Sequence, residues 1–524
     1  MTLTPVASPV PLAASLLMLG QGLAVAVYAT AQFLLVTYSS HRWTLVWRRW
    51  RRERSARRAT GPAAGGVARE AVTSRFVAGR APSRGAAAPP VATVQLPVYN
   101  ERRVVERLID AVAAFDYRRD RLEIQVLDDS TDETRALAAA AVARHRARGV
   151  DIVHVVRDER HGFKAGALAA GLARARGDVI AVFDADFAPP PDFLIRAIAH
   201  FADPDVGLVQ ARWTHLNRDE SLLTTAQAVQ LDAHFLIEHE ERMRAGCFFN
   251  FNGTAGVWRR EAIESAGGWQ HDTLTEDLDL SYRAQLAGWR FVFDGTLEAP
   301  AELPAEVEAL KAQQRRWTKG SIQTARKLLP AVWRSARPFG VKLEATLHLT
   351  GNASYPLLLV LGLLLLPVLL GQNRLPFAVV VALQIAVVLL GIVPVTWFLA
   401  AGQRGAGGSL ARRARDVGAA VVLGLGLAVN NSRAVVEGLA GGLGEWERTA
   451  KRGTHAGAAA PAPYAAATRR SGRSEIALAL YFCGLGGFAL AAGEARAVPF
   501  VALLALGLAW VGWASFRASE KRAG

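Results

Sequence analysis

Apolar residues fall along this chain in three regimes. Residues 11–38 form an uncharged run long enough to cross a bilayer. Between about 91 and 325 the apolar runs shorten to strand length. Past Pro338 they lengthen again, at roughly 343–371, 376–401, 417–443, 476–492 and 497–516. The short runs at 91–97, 122–127, 150–156 and 179–183 predict strands, and the Ala-rich stretches between them predict helices. Strand and helix in alternation imply an α/β fold, a mostly parallel sheet with helices on both faces. The long runs imply an α-helical transmembrane bundle attached to it.

Charge beside these runs sets an expected topology. His41-Arg42-Trp43 and the arginines at 48, 49, 51, 52 and 54 follow the first run with Trp interleaved, which reads as a cytoplasmic anchor and leaves the N-terminus outside. Residues 60–90 are Ala, Gly, Pro and Arg, the composition of a linker. The run 417–443 lies between two basic loops, 403–415 and 445–473, and carries Asn430-Asn431-Ser432-Arg433 at its middle. A single crossing would put one loop on the wrong side and an arginine in lipid. A broken, re-entrant or interfacial helix pair buried against protein is expected instead, leaving five true spans. The segments are then 1–40 (first span), 41–90 (basic anchor and linker), 91–335 (cytosolic catalytic domain), 336–444 (spans and the broken pair), 445–474 (cytosolic loop) and 475–524 (two spans and a basic tail). That order describes a multi-pass protein of the plasma (inner) membrane.

Composition sharpens this picture in two places. A formal charge of +15 could suggest nucleic acid, but the arginines sit beside apolar runs, the apolar content is 51%, and the mean hydropathy is +0.17. Membrane anchoring accounts for the charge, and no nucleic-acid partner is expected. The two cysteines, Cys247 and Cys483, stand in unlike surroundings, which argues against a disulfide framework or a Cys-based zinc site.

Candidate chemistry lies where the predicted strands end, because α/β sheets bind ligands beyond the carboxyl ends of their strands. Asp128-Asp129 closes one strand and Asp184-Ala185-Asp186 another, the latter followed by Pro189-Pro190-Pro191-Asp192. Asp184 and Asp186 could hold Mg²⁺ or Mn²⁺ together with diphosphate oxygens. Lys164, at a helix start after His161, could meet that diphosphate; a solvated lysine is the plain alternative, and His161 reads as a turn residue. Tyr99-Asn100-Glu101 turns from the first strand into a helix. Thr275-Glu276-Asp277 reads as an N-cap followed by two carboxylates in a first helical turn. Gln313, Arg316 and Trp317, at i, i+3 and i+4, share a helix face that suits a phosphate beside a sugar ring. Packing explains Phe248, Phe249 and Phe251, while Gly253 and Gly256 suggest close backbone approach to a ligand, with a sugar floor as the functional alternative.

Taken in order, Asp128-Asp129, Asp184-Ala185-Asp186, Thr275-Glu276-Asp277 and Gln313-x-x-Arg316-Trp317 resemble an inverting, membrane-integrated family 2 glycosyltransferase with a GT-A catalytic domain. Residues 250–259 and Gly267-Gly268-Trp269 are most similar to cellulose-synthase-like mannan and glucomannan synthases and their bacterial relatives. The resemblance implies a nucleotide-sugar donor, UDP-glucose or GDP-mannose, and a β-linked polysaccharide product that is extended processively and exported through the membrane bundle. A glycolipid synthase acting on diacylglycerol or ceramide is the alternative. It implies a catalytic pair, Glu276 and Asp277, with Asp277 taking the acceptor's proton. Donor contacts are implied for Asp128 or Asp129, Glu101, Lys164, Asp184, Gln313 and Arg316, metal contacts for Asp184 and Asp186, and acceptor contacts for Trp317, Gly253 and Thr254. Trp446-x-x-Thr449-x-Lys451 resembles the gating loop of cellulose synthases, although Arg448 stands where that loop has Val.

Overall fold

The computed structural model describes residues 12–60, 89–371, 388–404, 407–442, 453 and 472–520. Seven strands, β1 (Ala92–Val98), β2 (Leu122–Asp128), β3 (Ile152–Val156), β4 (Val179–Val182), β5 (Val206–His215), β6 (Gly256–Arg259) and β7 (Arg290–Ala301), form one sheet in the order β3-β2-β1-β4-β6-β5-β7. Pairing is parallel from β3 through β4 and between β5 and β7; β6 alone runs antiparallel to both neighbours. The six co-directional strands therefore deliver their carboxyl ends to a single edge. The reversal at β6 follows a turn in which Gly253 and Ala255 take φ of 82° and 53°.

Helices cover both faces of the sheet. On one, Val94, Leu96 and Val126 pack with Leu108 and Val142; on the other, Ile180 and Leu208 pack with Leu168, Phe235 and Phe249. Double-sided burial explains the near-continuous apolar strands of the sequence. Phe248, Phe249 and Phe251 are all core residues, as packing requires.

Beyond the sheet, four helices among the described residues are long and apolar enough to cross a membrane: Leu19–Ala56, Phe339–Leu370, Arg473–Ala491 and Ala495–Ala518. The first belongs to one continuous helix, Leu12–Thr60, that carries the apolar run straight into the basic stretch. The run 376–401 is described only from 388 onward, where a short apolar helix, Leu389–Gly402, lies. The run 417–443 falls in two helices, Leu410–Gly426 and Ala428–Ala440, bent by 48°. Its polar middle has protein partners: the Asn430 side chain donates to the Lys311 carbonyl at 3.0 Å, and Asn431 is fully buried. Gly438 lets this second helix lie against Val307–Arg334, since a Cβ there would come within 2.9 Å of Ile322.

Candidate active site

The carboxyl edge of the sheet opens into a cleft of about 1240 Å³, counting the solvent at its mouth. Its floor is built by strand ends and its far wall by two helices, Glu276–Leu286 and Val307–Arg334. Lys164 is the hub. It sits in the first turn of Phe163–Leu172, entered through Gly162 at φ 71°. Its ammonium donates to Asp184 Oδ1 and to the Gly253 carbonyl (2.8 Å) and lies 3.9 Å from Glu276 Oε1. Burial opposes its charge, but Asp184 and Glu276 outweigh burial and raise its pKa. The plain alternative of a solvated surface lysine does not hold.

Asp277 stands one residue into the next helix, its Oδ1 accepting the Leu278 N–H at 2.8 Å. A Cβ on Gly253 would lie 3.0 Å from Asp277 Oδ2, so this glycine leaves room beside the carboxylate. Burial, and then the neighbouring charge of Glu276, push Asp277 up to about 7. Burial raises Glu276 as well, against the pull of Lys164. A carboxylate poised near neutrality in a cleft has the properties of a general base.

Thr275 departs from the expected cap: its side chain makes no capping bond, and its Oγ1 instead meets Thr324 Oγ1 at 3.3 Å. The reason lies across the gap. Gly320 approaches so closely that a Cβ there would stand 2.6 Å from Thr275 Oγ1 and 2.9 Å from its nitrogen. This contact docks the acidic turn onto the helix bearing Gln313, Arg316 and Trp317, all three of which line the cleft. Burial lowers the Arg316 pKa while Glu276 and Asp184 support its charge.

Asp184, Asp186, Glu101, Asp129 and Gly253 also line the cleft, whereas Asp128 and Thr254 are not among its lining residues. Asp128 is fully buried, its oxygens taken by His154 Nε2 (2.8 Å) and the Ser130 N–H (2.8 Å), which hold its carboxyl below the usual range despite burial. Asp129, turned the other way, is gripped by Arg157 (Nε to Oδ1, 2.8 Å). Of the adjacent pair, Asp129 is the one that faces the cleft. Thr254 works from behind: its hydroxyl accepts the Asp184 N–H at 2.9 Å and fixes the end of β4. Gly256 has a packing reason, since a Cβ would stand 2.6 Å from the Phe251 ring. Trp446, Thr449 and Lys451 lie outside the described residues; Gly453, just after them, donates to Glu302 Oε2 in the cleft wall at 3.1 Å.

Among the lining residues that sequence reading missed, three carry polar chemistry of note. Arg160 stacks over the Tyr99 ring with its guanidinium carbon 3.5 Å from the centroid, and Trp213 and His215 line the opposite end. The alternation of Trp213 and His215 along β5 was the available signal.

Residues 89–320 match the model described as "Glycosyltransferase like family 2". That stretch is a domain of the family 2 glycosyltransferase type. The chain is 43% identical over 261 residues to glucomannan 4-beta-mannosyltransferase 1 of Oryza sativa subsp. japonica, which is 49% of this chain and 50% of that protein. It is 44% identical over 253 residues to glucomannan 4-beta-mannosyltransferase 2 of Arabidopsis thaliana, 47% of each chain. It thus spans about half the length of these curated relatives. A mannosyltransferase from Pyrobaculum calidifontis, solved with GDP-Man and Mn²⁺, overlays on 80% of this chain and 98% of its own with a TM-score of 0.48 and 22% identity, a likeness too slight to add to the assignment. In the glycosyltransferase domain the mixed sheet and the cleft at its carboxyl edge together make the GT-A fold.

Proposed function

We propose that the chain transfers a hexose, with inversion, from a nucleotide sugar to a hydroxyl of a growing β-linked glycan. The observation that carries this reading is the convergence of Asp277, Lys164, Asp184 and the Gln313-Arg316-Trp317 face on one cleft. Asp277 accepts the proton of the acceptor hydroxyl, whose oxygen attacks the anomeric carbon as the bond to the diphosphate breaks. An α-linked donor gives a β-linkage, and the nucleoside diphosphate leaves. Lys164 and Arg316 offset the negative charge that grows on the leaving group. Asp129, Glu101 and Tyr99 at the ends of β2 and β1 face the nucleotide, and Trp317 stacks on a sugar.

The donor set at the floor of the cleft suits a hard divalent cation. Asp184 and Asp186 offer carboxylate oxygens, and among the described residues no group of three or more His, Cys, Asp or Glu could hold a metal unaided. Mg²⁺ or Mn²⁺ would share its shell with the donor diphosphate, as such ions do. When bound, it neutralises diphosphate charge.

The relatives' names support mannose as the transferred sugar, with glucose the competitor. In this reading the domain faces the cytoplasm, the broken pair re-enters rather than crosses, and the glycan leaves through the bundle. Membranes bearing the full chain, given radiolabelled GDP-mannose or UDP-glucose with Mg²⁺ or Mn²⁺, should yield ethanol-insoluble polymer. Label confined to the organic phase would assign a lipid acceptor instead. A reporter fused at Ala458 should stay inside the cell.

A further inference from the structure

The order of the sheet lays the cleft out in sequence. Asp129 and Tyr99, at the ends of β2 and β1, mark one end; Asp184 and Asp186, after β4, lie between; Trp213 and His215, on β5, mark the other. The two β5 residues are two apart, so they share one face of the strand. Trp213 is braced edge-on by Phe187 at 5.4 Å and tilted against Phe235 at 5.3 Å.

Within the cleft lining, this wall carries unmet hydrogen-bonding groups. Trp213 Nε1 and both ring nitrogens of His215 are shut off from solvent and have no hydrogen-bond partner among the described residues. Burial pushes the His215 imidazole down to about 4, so it is neutral at physiological pH and offers one donor and one acceptor. With the indole N–H, the wall presents two donors and one acceptor, none charged. Leaving such groups buried and unpaired costs free energy that a fitting ligand recovers. Hydroxyl groups meet both demands, being donors and acceptors at once. A phosphate would strand the acceptor nitrogen, and the single free hydroxyl of a diacylglycerol would leave most of the wall unmet.

We propose that Trp213 and His215 form an acceptor subsite that hydrogen-bonds the hydroxyls of a neutral pyranose unit in the chain being extended. The inference rests on the glycosyltransfer reading of the cleft and deepens it, naming the acceptor as a glycan. His215 is a specificity-determining residue, distant from the nucleotide end.

The test uses the full membrane-embedded chain with β-linked mannotetraose and cellotetraose as acceptors. His215→Phe keeps a flat ring and removes both hydrogen-bonding nitrogens. It should raise KM for the better tetraose roughly ten-fold, the value of one or two neutral hydrogen bonds. Donor KM and donor hydrolysis by water should stay unchanged, which also reports that the variant is folded. His215→Gln, which keeps a donor and an acceptor, should recover part of the affinity, and Trp213→Phe should show a smaller rise than His215→Phe. An unchanged acceptor KM in His215→Phe, or an equal fall in donor hydrolysis, would overturn the subsite while leaving the glycosyltransferase reading intact. Wild-type protein that hydrolyses donor and glycosylates lipid but neither tetraose would overturn both.

Discussion

Two buried clusters of charge in this protein use the same residue types to opposite ends. In the cleft, Lys164, Asp184, Glu276, Asp277 and Arg316 crowd together with carboxylates in excess, and burial leaves Asp277 near neutrality instead of firmly ionised. Where the domain meets the apolar helices, Glu238, Arg242, Glu344 and His41 form a chain of contacts in that order. Arg242 lies 3.6 Å from Glu238 and 2.9 Å from Glu344, and Glu344 is 2.6 Å from His41. Although burial works against it, Arg242 and His234 hold Glu238 well below the usual carboxylate range. In the second cluster each carboxylate has a basic partner within ion-pair distance. In the first, three carboxylates share two cations, and that unequal pairing sets it apart from the structural joint.

The sharpest way to break this contrast is to remove one charged group from each cluster. Asp277→Asn should reduce transfer on the order of 10²–10⁴ if base catalysis alone is lost. Near-normal turnover at equal protein level would remove Asp277 from the mechanism. Arg242→Ala should instead strip a buried partner and cost about 3–5 kcal/mol of stability, read as lost yield and a lower Tm, with the pH profile of surviving activity unmoved. A shifted profile would mean that the two clusters are not separate.

A third variant probes how the cleft is assembled. Gly320→Ala should force Thr275 away from the helix and misplace Asp277, lowering kcat by up to roughly 10² with little change in donor binding measured by nucleoside diphosphate inhibition. Full activity would show that the contact tolerates a methyl group. The smallest effects concern protons. Because the base must be unprotonated, kcat/KM should rise with pH through a limb near 7. The stability sign runs the other way. A folded pKa raised above the unfolded value of roughly 3.9 contributes stability that is complete below that value and lost as pH climbs through 7. Asp277→Asn removes that loss, so its Tm should exceed wild type at pH 8 and match it at pH 4.

Most of the cleft was legible because its chemistry sits at fixed offsets. Helical spacing brought Gln313, Arg316 and Trp317 to one face, and strand ends placed Asp184 and Asp186 at the sheet edge. What escaped was tertiary. Two adjacent residues at a strand end point opposite ways, so Asp128 and Asp129 could not both face the cleft; the outcome rested on His154 and Arg157, supplied by β3 and the loop beyond it. Thr275 was a sound cap by local rules until Gly320 pressed on it. The reversed β6 left no mark in the apolar pattern, since antiparallel and parallel central strands are equally buried. His215 offered only its alternation with Trp213, and a lone histidine in a strand does not declare which partners it lacks.

The helix Val307–Arg334 belongs to both worlds at once. Its Lys311 is buried against Glu475 (2.8 Å) and Ser515 (3.2 Å) of the two last apolar helices, Arg315 pairs with Glu437 of the broken pair, and Gln313 and Arg316 on the same rod line the cleft. Cutting the chain near residue 335 to obtain a water-soluble enzyme would leave that lysine and an oily stripe naked. A soluble version would have to replace the missing scaffold as well as discard it, and detergents that loosen the spans should slow turnover before they melt the sheet.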